Sequence, residues 1–375
     1  VNTFLSSSQE ALREQYEKYA AGEIQPAAKD LEQGKASLKE FLQKLGQTGF
    51  LGLTIAKEYG GASGSFLDQA LFVEAACEHE AGLGLALSAH FQVVELIKRY
   101  GDDRQKSRYL PLLARGEAVG AFCLNEEKAG SDYSLIEAVA TTKQEVPKLT
   151  GKKLWVVNGK IATLLVVVAR DEETGKLSLW LVDAGESKSV KVEAGARKLG
   201  LRSASADQVE FAETKLPEGS KLEGDAVQQI EFALDTAKTI LAMASIGMCT
   251  GAMKLAVDHA RTRQQFGKNI GAFQGVQWKL ADMSTDIAAA RLLALRAAWA
   301  FDDEKEEFRK YAAMAKLLSA RTARFQTGEA IQVLGATGIV EDSPAERFYR
   351  DAKMMEICQG TSELQKIVIA EELKV

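Results

Sequence analysis

Apolar residues recur at three-to-four spacing from residue 1 to about 120, in LREQYEKYAAGEI, ASLKEFLQKLGQTGF and DQALFVEAACEHEAGLGLALSAHFQVVELIKRYG. That period predicts amphipathic helices, the last two separated by the Gly60-Gly61 pair. From about 121 to 222 the pattern shortens to LWVVNG, LLVVVAR, LSLWLVDA and DQVEFAETKL, punctuated by Gly, Asp and Lys. Such runs predict strands and a compact β domain. Past Gly224 the helical period returns, with Met283, Ile287, Ala290, Ala294 and Ala297 on one stripe and Arg291 and Arg296 off it. The expected architecture is α+β in three parts: an N-terminal helical domain over 1–120, a central β domain over 121–222 and a C-terminal helical domain over 223–375. No internal repeat, low-complexity tract or Pro-rich linker interrupts it. This layout alone assigns no chemistry.

Composition narrows the function by exclusion. The 375 residues are 46% hydrophobic and 26% charged, enough to bury a sizeable core. A net charge of −5 supplies no basic excess, so neither nucleic acid nor an anionic membrane is an expected partner. No apolar run approaches the roughly 20 residues needed to span a bilayer. The start VNTFLSSSQEALREQ has neither a basic stretch nor an apolar centre, and the reading is a cytoplasmic or other aqueous location. Cys77, Cys123, Cys249 and Cys358 form no CxxC pair and are expected as reduced, mostly buried thiols. His79, His90 and His259 have no carboxylates at ligand spacing, so no metal site is expected.

Five segments carry more. EYGGAS (58–63), YLPLLARGEAVGAFCLNEEKAGSD (109–132), KLWVVNG (153–159), HARTRQQFGKNIGAFQGVQWKLADM (259–283) and FYRDAKMMEICQGTSELQ (348–365) follow one another over nearly the whole chain. In this order and spacing they resemble the acyl-CoA dehydrogenase family. The resemblance implies an N-terminal helical domain, a central β domain and a C-terminal four-helix bundle, with FAD between the last two. It also implies a homodimer or homotetramer, because the family completes each FAD site from a neighbouring subunit. A dinucleotide needs cationic or N–H donors at its phosphates and a flat apolar face at its ring, and the matched residues supply both.

Residue by residue, the resemblance places Trp155 against the flavin ring, where a core aromatic in a strand is the alternative. It places Arg263, Gln265 and Phe266 at the pyrophosphate and adenosine of the partner subunit's FAD, against a solvated helix-end arginine. Gln332 and Gly335 in IQVLGATG match a further adenosine contact, or helix-end packing. Thr361 and Glu363, after Gly360, would face the diphosphate and adenosine side. Ser131 in AGSD matches the CoA-binding wall and Asp235 a position near the pantetheine; a turn residue and a helix N-terminal acid are the plain alternatives.

Family members desaturate an acyl thioester: a carboxylate removes the α-proton while hydride leaves Cβ for the flavin, which then passes electrons to an electron-transferring flavoprotein. The usual base is a glutamate immediately before Gly-Thr in the last motif, and here that residue is Gln359. A neutral amide cannot take a proton near pH 7. Other members carry the base in a Glu-Arg pair on the first long bundle helix; the matching residues are Ala237 and Lys238. Asn125 and Val157 stand where the family usually has threonines beside the flavin, and Cys358 where an aromatic often precedes the base. The backbone N–H of Gln359 remains available to polarise the thioester oxygen. These coordinated changes suggest a relative with altered chemistry, and a single Glu-to-Gln replacement at 359 also fits.

A relocated base has few candidates. His90 lies in ALSAHFQVV, which in the family borders the acyl pocket, and its imidazole has a suitable ordinary pKa of about 6.5; helix packing is the alternative. Glu95 and Glu127 are expected to be solvated. Cys358 would act as a thiolate only beside a cation. The expected activity is therefore that of an FAD-dependent, acyl-CoA dehydrogenase-like oxidoreductase with a substituted base. An enoyl-thioester reductase or a flavoenzyme acting on a carrier-protein thioester is the alternative, and a catalytically silent FAD- or CoA-binding subunit is a third reading.

Overall fold

A computed structural model describes residues 5–143, 145–185 and 187–374, so the reading of the start VNTF lies outside the described residues. Six helices come first: α1 (Ser7–Tyr19), α2 (Gln25–Glu32), α3 (Leu38–Gln47), α4 (Phe66–Cys77), α5 (Ala81–Tyr100) and α6 (Asp103–Ala114). Local signals set their ends. Ser6 with Gln9, Ser65 with Asp68, and Asp102 with Gln105 form reciprocal capping boxes at α1, α4 and α6. The long apolar stretch from Asp68 to Gly101 is two helices rather than one. It breaks at Glu78–Glu80, where the Glu80 carboxylate accepts from the Gly82 N–H and caps α5.

The β domain holds β1 (Gly120–Cys123), β2 (Val139–Thr141), β3 (Lys148–Val157), β4 (Leu164–Asp171), β5 (Leu177–Asp183), β6 (Val190–Glu193), β7 (Ala206–Lys215) and β8 (Lys221–Leu222). They form one sheet in the order β6-β7-β3-β2-β4-β5-β8, with β1 pairing parallel to β4. The four sequence runs fall on β3, β4, β5 and β7. The strands that periodicity did not reveal are short, at two to four residues.

Helix returns with α7 (Ala226–Thr262), a two-residue hairpin pair β9 (Gln264–Gln265) and β10 (Lys268–Asn269), then α8 (Gln274–Asp302), α9 (Phe308–Leu334), α10 (Pro344–Met355) and α11 (Ser362–Glu372). α7, α8 and α9 pack on one another, and α10 and α11 pack on α9. Met283, Ile287, Ala290, Ala294 and Ala297 are all buried, while Arg291, off the stripe, reaches Glu74 of α4 at 2.6 Å. α7 corrects the statement that no run is apolar enough to span a membrane. Its most apolar window has a mean hydropathy of 1.7, but 72% of that window is buried inside the protein, as in a core helix.

The two helical regions share one core although the β domain separates them in sequence. Leu71, Phe72 and Leu87 of the first join Ile240, Met243 and Ala294 of the second. Gly247 permits this: a Cβ there would lie 2.1 Å from the Glu74 carbonyl oxygen, so α4 and α7 touch backbone to backbone. Asp302 at the end of α8 accepts the Phe66 and Leu67 N–H groups at 2.7 and 3.0 Å, which caps α4 from the other end of the chain.

Candidate active site

The site grows from the turn between α10 and α11. Gln359 and Gly360 both take left-handed backbone conformations, φ +55° and +92°. A non-glycine residue there is strained, so the surroundings must hold it. The Gly360 carbonyl accepts from Lys316 Nζ at 2.5 Å and from Gln365 Nε2 at 3.0 Å, both donors being buried. A Cβ on Gly360 would lie 2.8 Å from that Gln365 nitrogen, so the turn requires glycine. Thr361 caps α11 by accepting the Leu364 N–H. Burial pushes the Lys316 ammonium down to about 8.

The Gln359 side chain points back to α5. Its Nε2 donates to Gln92 Oε1 at 3.1 Å, and Gln92 Nε2 returns a bond to Gln359 Oε1 at 3.4 Å while also donating to the Ala233 carbonyl of α7 at 2.9 Å. Sequence reasoning did not single out Gln92. Its signal was a polar residue within an otherwise apolar helix, buried here at 1% exposure. Lys316, Lys198 and Gln365 were missed likewise, because each acts through a fold-dependent contact.

His90 does not suit the role of relocated base. It lies two positions from Gln92, on the opposite side of α5, fully buried, with Nδ1 accepting the Gly120 N–H of β1 at 3.3 Å. Burial pushes its pKa down to about 4, so it is a neutral packing residue. Glu95 is also not solvated: it is buried and accepts from Thr54 at 2.6 Å and Lys98 at 2.8 Å. Glu127 is exposed as expected. Cys358 does have cationic neighbours, Lys316 and Lys198, yet burial outweighs them and raises its pKa, leaving a thiol. Cys77, Cys123 and Cys249 are buried and free.

On α7, Asp235 and Lys238 form a buried ion pair at 2.6 Å. Asp235 lies well inside the helix, so it is not an N-terminal acid; Asp225 is the cap, accepting the Gln228 N–H at 2.9 Å. Burial raises the Asp235 pKa and Lys238 opposes that rise. Ala237 lies beside them and brings no ionisable group.

The β domain contributes a second wall. β3 is bulged between Lys153 and Val156, and Trp155 takes φ +56° with 61% of its surface exposed. It is not a core aromatic. The buried Lys153 ammonium bonds the Leu124 carbonyl at 3.1 Å and Glu126 at 2.6 Å, and Glu126 in turn accepts the Glu137 and Ala138 N–H groups. This network ties the loop bearing Asn125 and Ser131 to β3. The Asn125 carbonyl accepts the Leu154 N–H, and its carboxamide bonds the Gly130 carbonyl within its own loop. Ser131 is exposed in that loop, while Val157 is half-buried against the helical core.

The remaining matched residues lie elsewhere on the surface. Arg263 ends α7, and the β9–β10 hairpin that follows turns at Phe266 and Gly267, φ +51° and +78°. Phe266 is 92% exposed, with Arg263 and Gln265 exposed beside it. Gln332 and Gly335 are exposed at the end of α9. Thr361 and Glu363 line a cleft of about 620 Å³ with Arg324, Lys353 and Ser362. A flat apolar residue on one wall, and cations with a helix N-terminus on another surface, are groups that a flavin cofactor's ring and phosphate would use.

The chain matches the acyl-CoA dehydrogenase N-terminal domain over residues 6–117, the middle domain over 121–214 and the C-terminal domain over 227–374. It is 33% identical over 372 residues to the short-chain specific acyl-CoA dehydrogenase of Clostridium acetobutylicum, spanning 98% of both chains. It is 34% identical over 376 residues to acryloyl-CoA reductase (NADH) of Anaerotignum propionicum, covering 98% of this chain and 95% of that one. Butyryl-CoA dehydrogenase from Megasphaera elsdenii has the same fold, with a TM-score of 0.94 at 28% identity over 99% of each chain. With three domain matches in sequence and relatives similar along their whole length, the chain belongs to the acyl-CoA dehydrogenase family, flavin-dependent oxidoreductases acting on CH–CH bonds.

Proposed function

We propose that this protein binds FAD and acts on the Cα–Cβ bond of an acyl-CoA thioester, with the Gln359 turn binding the thioester rather than removing its proton. The carrying observation is that turn: Lys316 and Gln365 hold Gly360 in place, and the residue before it is a neutral carboxamide, Gln359, which the resemblance matches to the family's acid. Bound FAD would supply the hydride acceptor or donor at Cβ. Trp155 would cover its ring; Thr361 and the first turn of α11 would meet its phosphates; Arg263, Gln265, Phe266, Gln332 and Gly335 would serve the FAD of a second copy in a homodimer or homotetramer. The Gln359 N–H would donate to the thioester oxygen, and Ser131, Asp235, Lys238 and Cys358 would border the thioester.

The neutral Gln359 favours a second reading on the same site, reduction of an enoyl thioester. Oxidation requires a group to accept the α-proton, and an amide cannot. Reduction leaves a carbanionic α-carbon that water can protonate without a positioned acid. Purified protein should be yellow with about one FAD per chain, and Arg263→Ala should lose FAD. Anaerobic mixing then separates directions: bleaching by a saturated acyl-CoA marks oxidation by way of an unassigned base, and reoxidation of the reduced protein by an enoyl-CoA marks reduction. A colourless protein that takes up no added FAD refutes both. In either direction an electron-transferring flavoprotein is the proposed redox partner.

A further inference from the structure

The helix that faces the Gln359 turn carries a polar stripe. Ser88, Gln92 and Glu95 fall at i, i+4 and i+7 of α5, on one face. All three are buried, at 2% exposure or less. The stripe runs along the seam with α7. At one end a Cβ on Gly84 would lie 2.8 Å from the Ala244 Cβ, in the middle Gln92 donates to the Ala233 carbonyl, and at the other end the Arg99 guanidinium lies 5.1 Å over the Phe232 ring. Gln359 reaches this seam from the turn that is proposed to hold the thioester.

Hydrogen-bonding capacity along the seam is not used up. Gln92 spends both carboxamide N–H groups and accepts one bond, and Gln359 makes one donated and one accepted bond, so a Gln359 N–H and a lone pair on each amide oxygen remain. Among the described residues the Ser88 hydroxyl is buried with no partner, and so is Gln69 Nε2, whose carboxamide oxygen lies 3.4 Å from the Thr54 hydroxyl that donates to Glu95. Buried polar groups without partners are uncommon because each costs free energy. Asp235 is paired with Lys238 and Glu95 with Lys98, and the Lys316 ammonium is directed at the Gly360 carbonyl, which leaves neutral donors and acceptors as the open positions. A plain alkyl chain entering here would either be stopped by the amide pair or separate it without replacing its bonds.

We infer that the substrate's acyl group carries a neutral substituent that both donates and accepts hydrogen bonds, such as a hydroxyl, at or next to Cβ, and that this group exchanges into the Gln92–Gln359 pair. The inference rests on the thioester reading above. An acyl chain held at the Gln359 N–H by its thioester oxygen places Cβ beside the two carboxamides. There the hydroxyl replaces the bonds that the amides lose on parting. Gln92 is then a specificity-determining residue for the acyl chain.

The test compares shape-matched ligands on the purified holoenzyme by calorimetry: the two enantiomers of 3-hydroxybutyryl-CoA against isovaleryl-CoA, in which a methyl group replaces the hydroxyl. One enantiomer should bind at least tenfold tighter than isovaleryl-CoA, as expected where buried polar groups read a substrate hydroxyl. Gln92→Leu should erase or invert that ratio while both ligands still bind. Isovaleryl-CoA binding as tightly as both enantiomers overturns the inference and leaves the thioester reading standing, and this comparison needs only the parent protein. A preference unchanged in Gln92→Leu likewise overturns it. Binding of none of the three overturns the thioester reading and the inference together.

Discussion

Gln92 and Gln359 exchange carboxamide hydrogen bonds across the seam between α5 and the turn before α11, at 3.1 and 3.4 Å. The two residues are 267 positions apart. Their pairing holds a neutral side chain in the turn proposed to bind the thioester, and it sets what a carboxylate would experience there.

Gln359→Glu should convert this position into a proton acceptor. The carboxylate would accept the Gln92 N–H, which favours the charged form, while burial favours the neutral one. A positioned base is typically worth about 10²–10⁴-fold, so stopped-flow bleaching of the flavin by a fitting saturated acyl-CoA should accelerate by that order. No acceleration in a variant that still binds the ligand would exclude the missing-base account.

His90→Asn should leave bleaching rates and their pH profile intact, because the ring packs against β1 rather than the turn. Stability should respond instead. The folded pKa of about 4 lies below the ordinary 6.5, so the unfolded chain binds the extra proton first and the parent loses stability as pH falls from 6.5 through 4. Urea denaturation should show that slope flattened in the variant, with a cost of about 1–3 kcal/mol at pH 7 if the Gly120 N–H is left unpaired. A rate loss with unchanged stability would return His90 to the list of bases.

Lys316→Met should remove a pH dependence at the other end of the scale. The folded pKa of about 8 lies below the ordinary lysine value of 10.5, so burying the charged form costs stability below pH 8, and the cost is relieved as pH rises from 8 to 10.5. Denaturation midpoints of the parent should gain in that window relative to the variant. Parallel curves would show that the ammonium is not penalised where it meets the Gly360 carbonyl.

Asp351→Asn should affect the junction of all three regions. Asp351 of α10 accepts the Leu201 N–H at 2.5 Å, near Glu80, which accepts from Ser203 at 2.9 Å. Burial and the Glu80 charge raise the Asp351 pKa to about 7. The folded protein therefore holds a proton that the unfolded chain has released, and stability falls as pH rises from 3.8 through 7. The variant should show a shallower decline over that range, and an identical decline would place the titration elsewhere.

Much of the proposed site could be put forward from sequence because its candidate residues sit in contiguous motifs. CQGTS put Gln359 forward, and KLWVVNG and RTRQQFG put forward Trp155, Arg263 and Phe266, three residues the fold leaves exposed or at left-handed turns. Glu95 was misread as solvated, while His90 is the helix-packing histidine that stood as the alternative to a base. The chemistry of both depends on what packs against them: the distant Gly120 N–H for His90, and for Glu95 the distant Thr54 hydroxyl together with Lys98 one helical turn away.

Periodicity and motif order by themselves determined the helical, β, helical sequence of elements and the family resemblance, because each is a property of residues near one another in the chain. Only tertiary structure decided that Gln92 meets Gln359, that Lys316 and Gln365 hold Gly360, and that Ser88, Gln92 and Glu95 line a buried seam. A helical period reports which face is covered and is silent on what covers it. The hydrogen-bond partner of a buried polar group, and with it the group's charge state, is set by the packing of segments that the sequence keeps far apart.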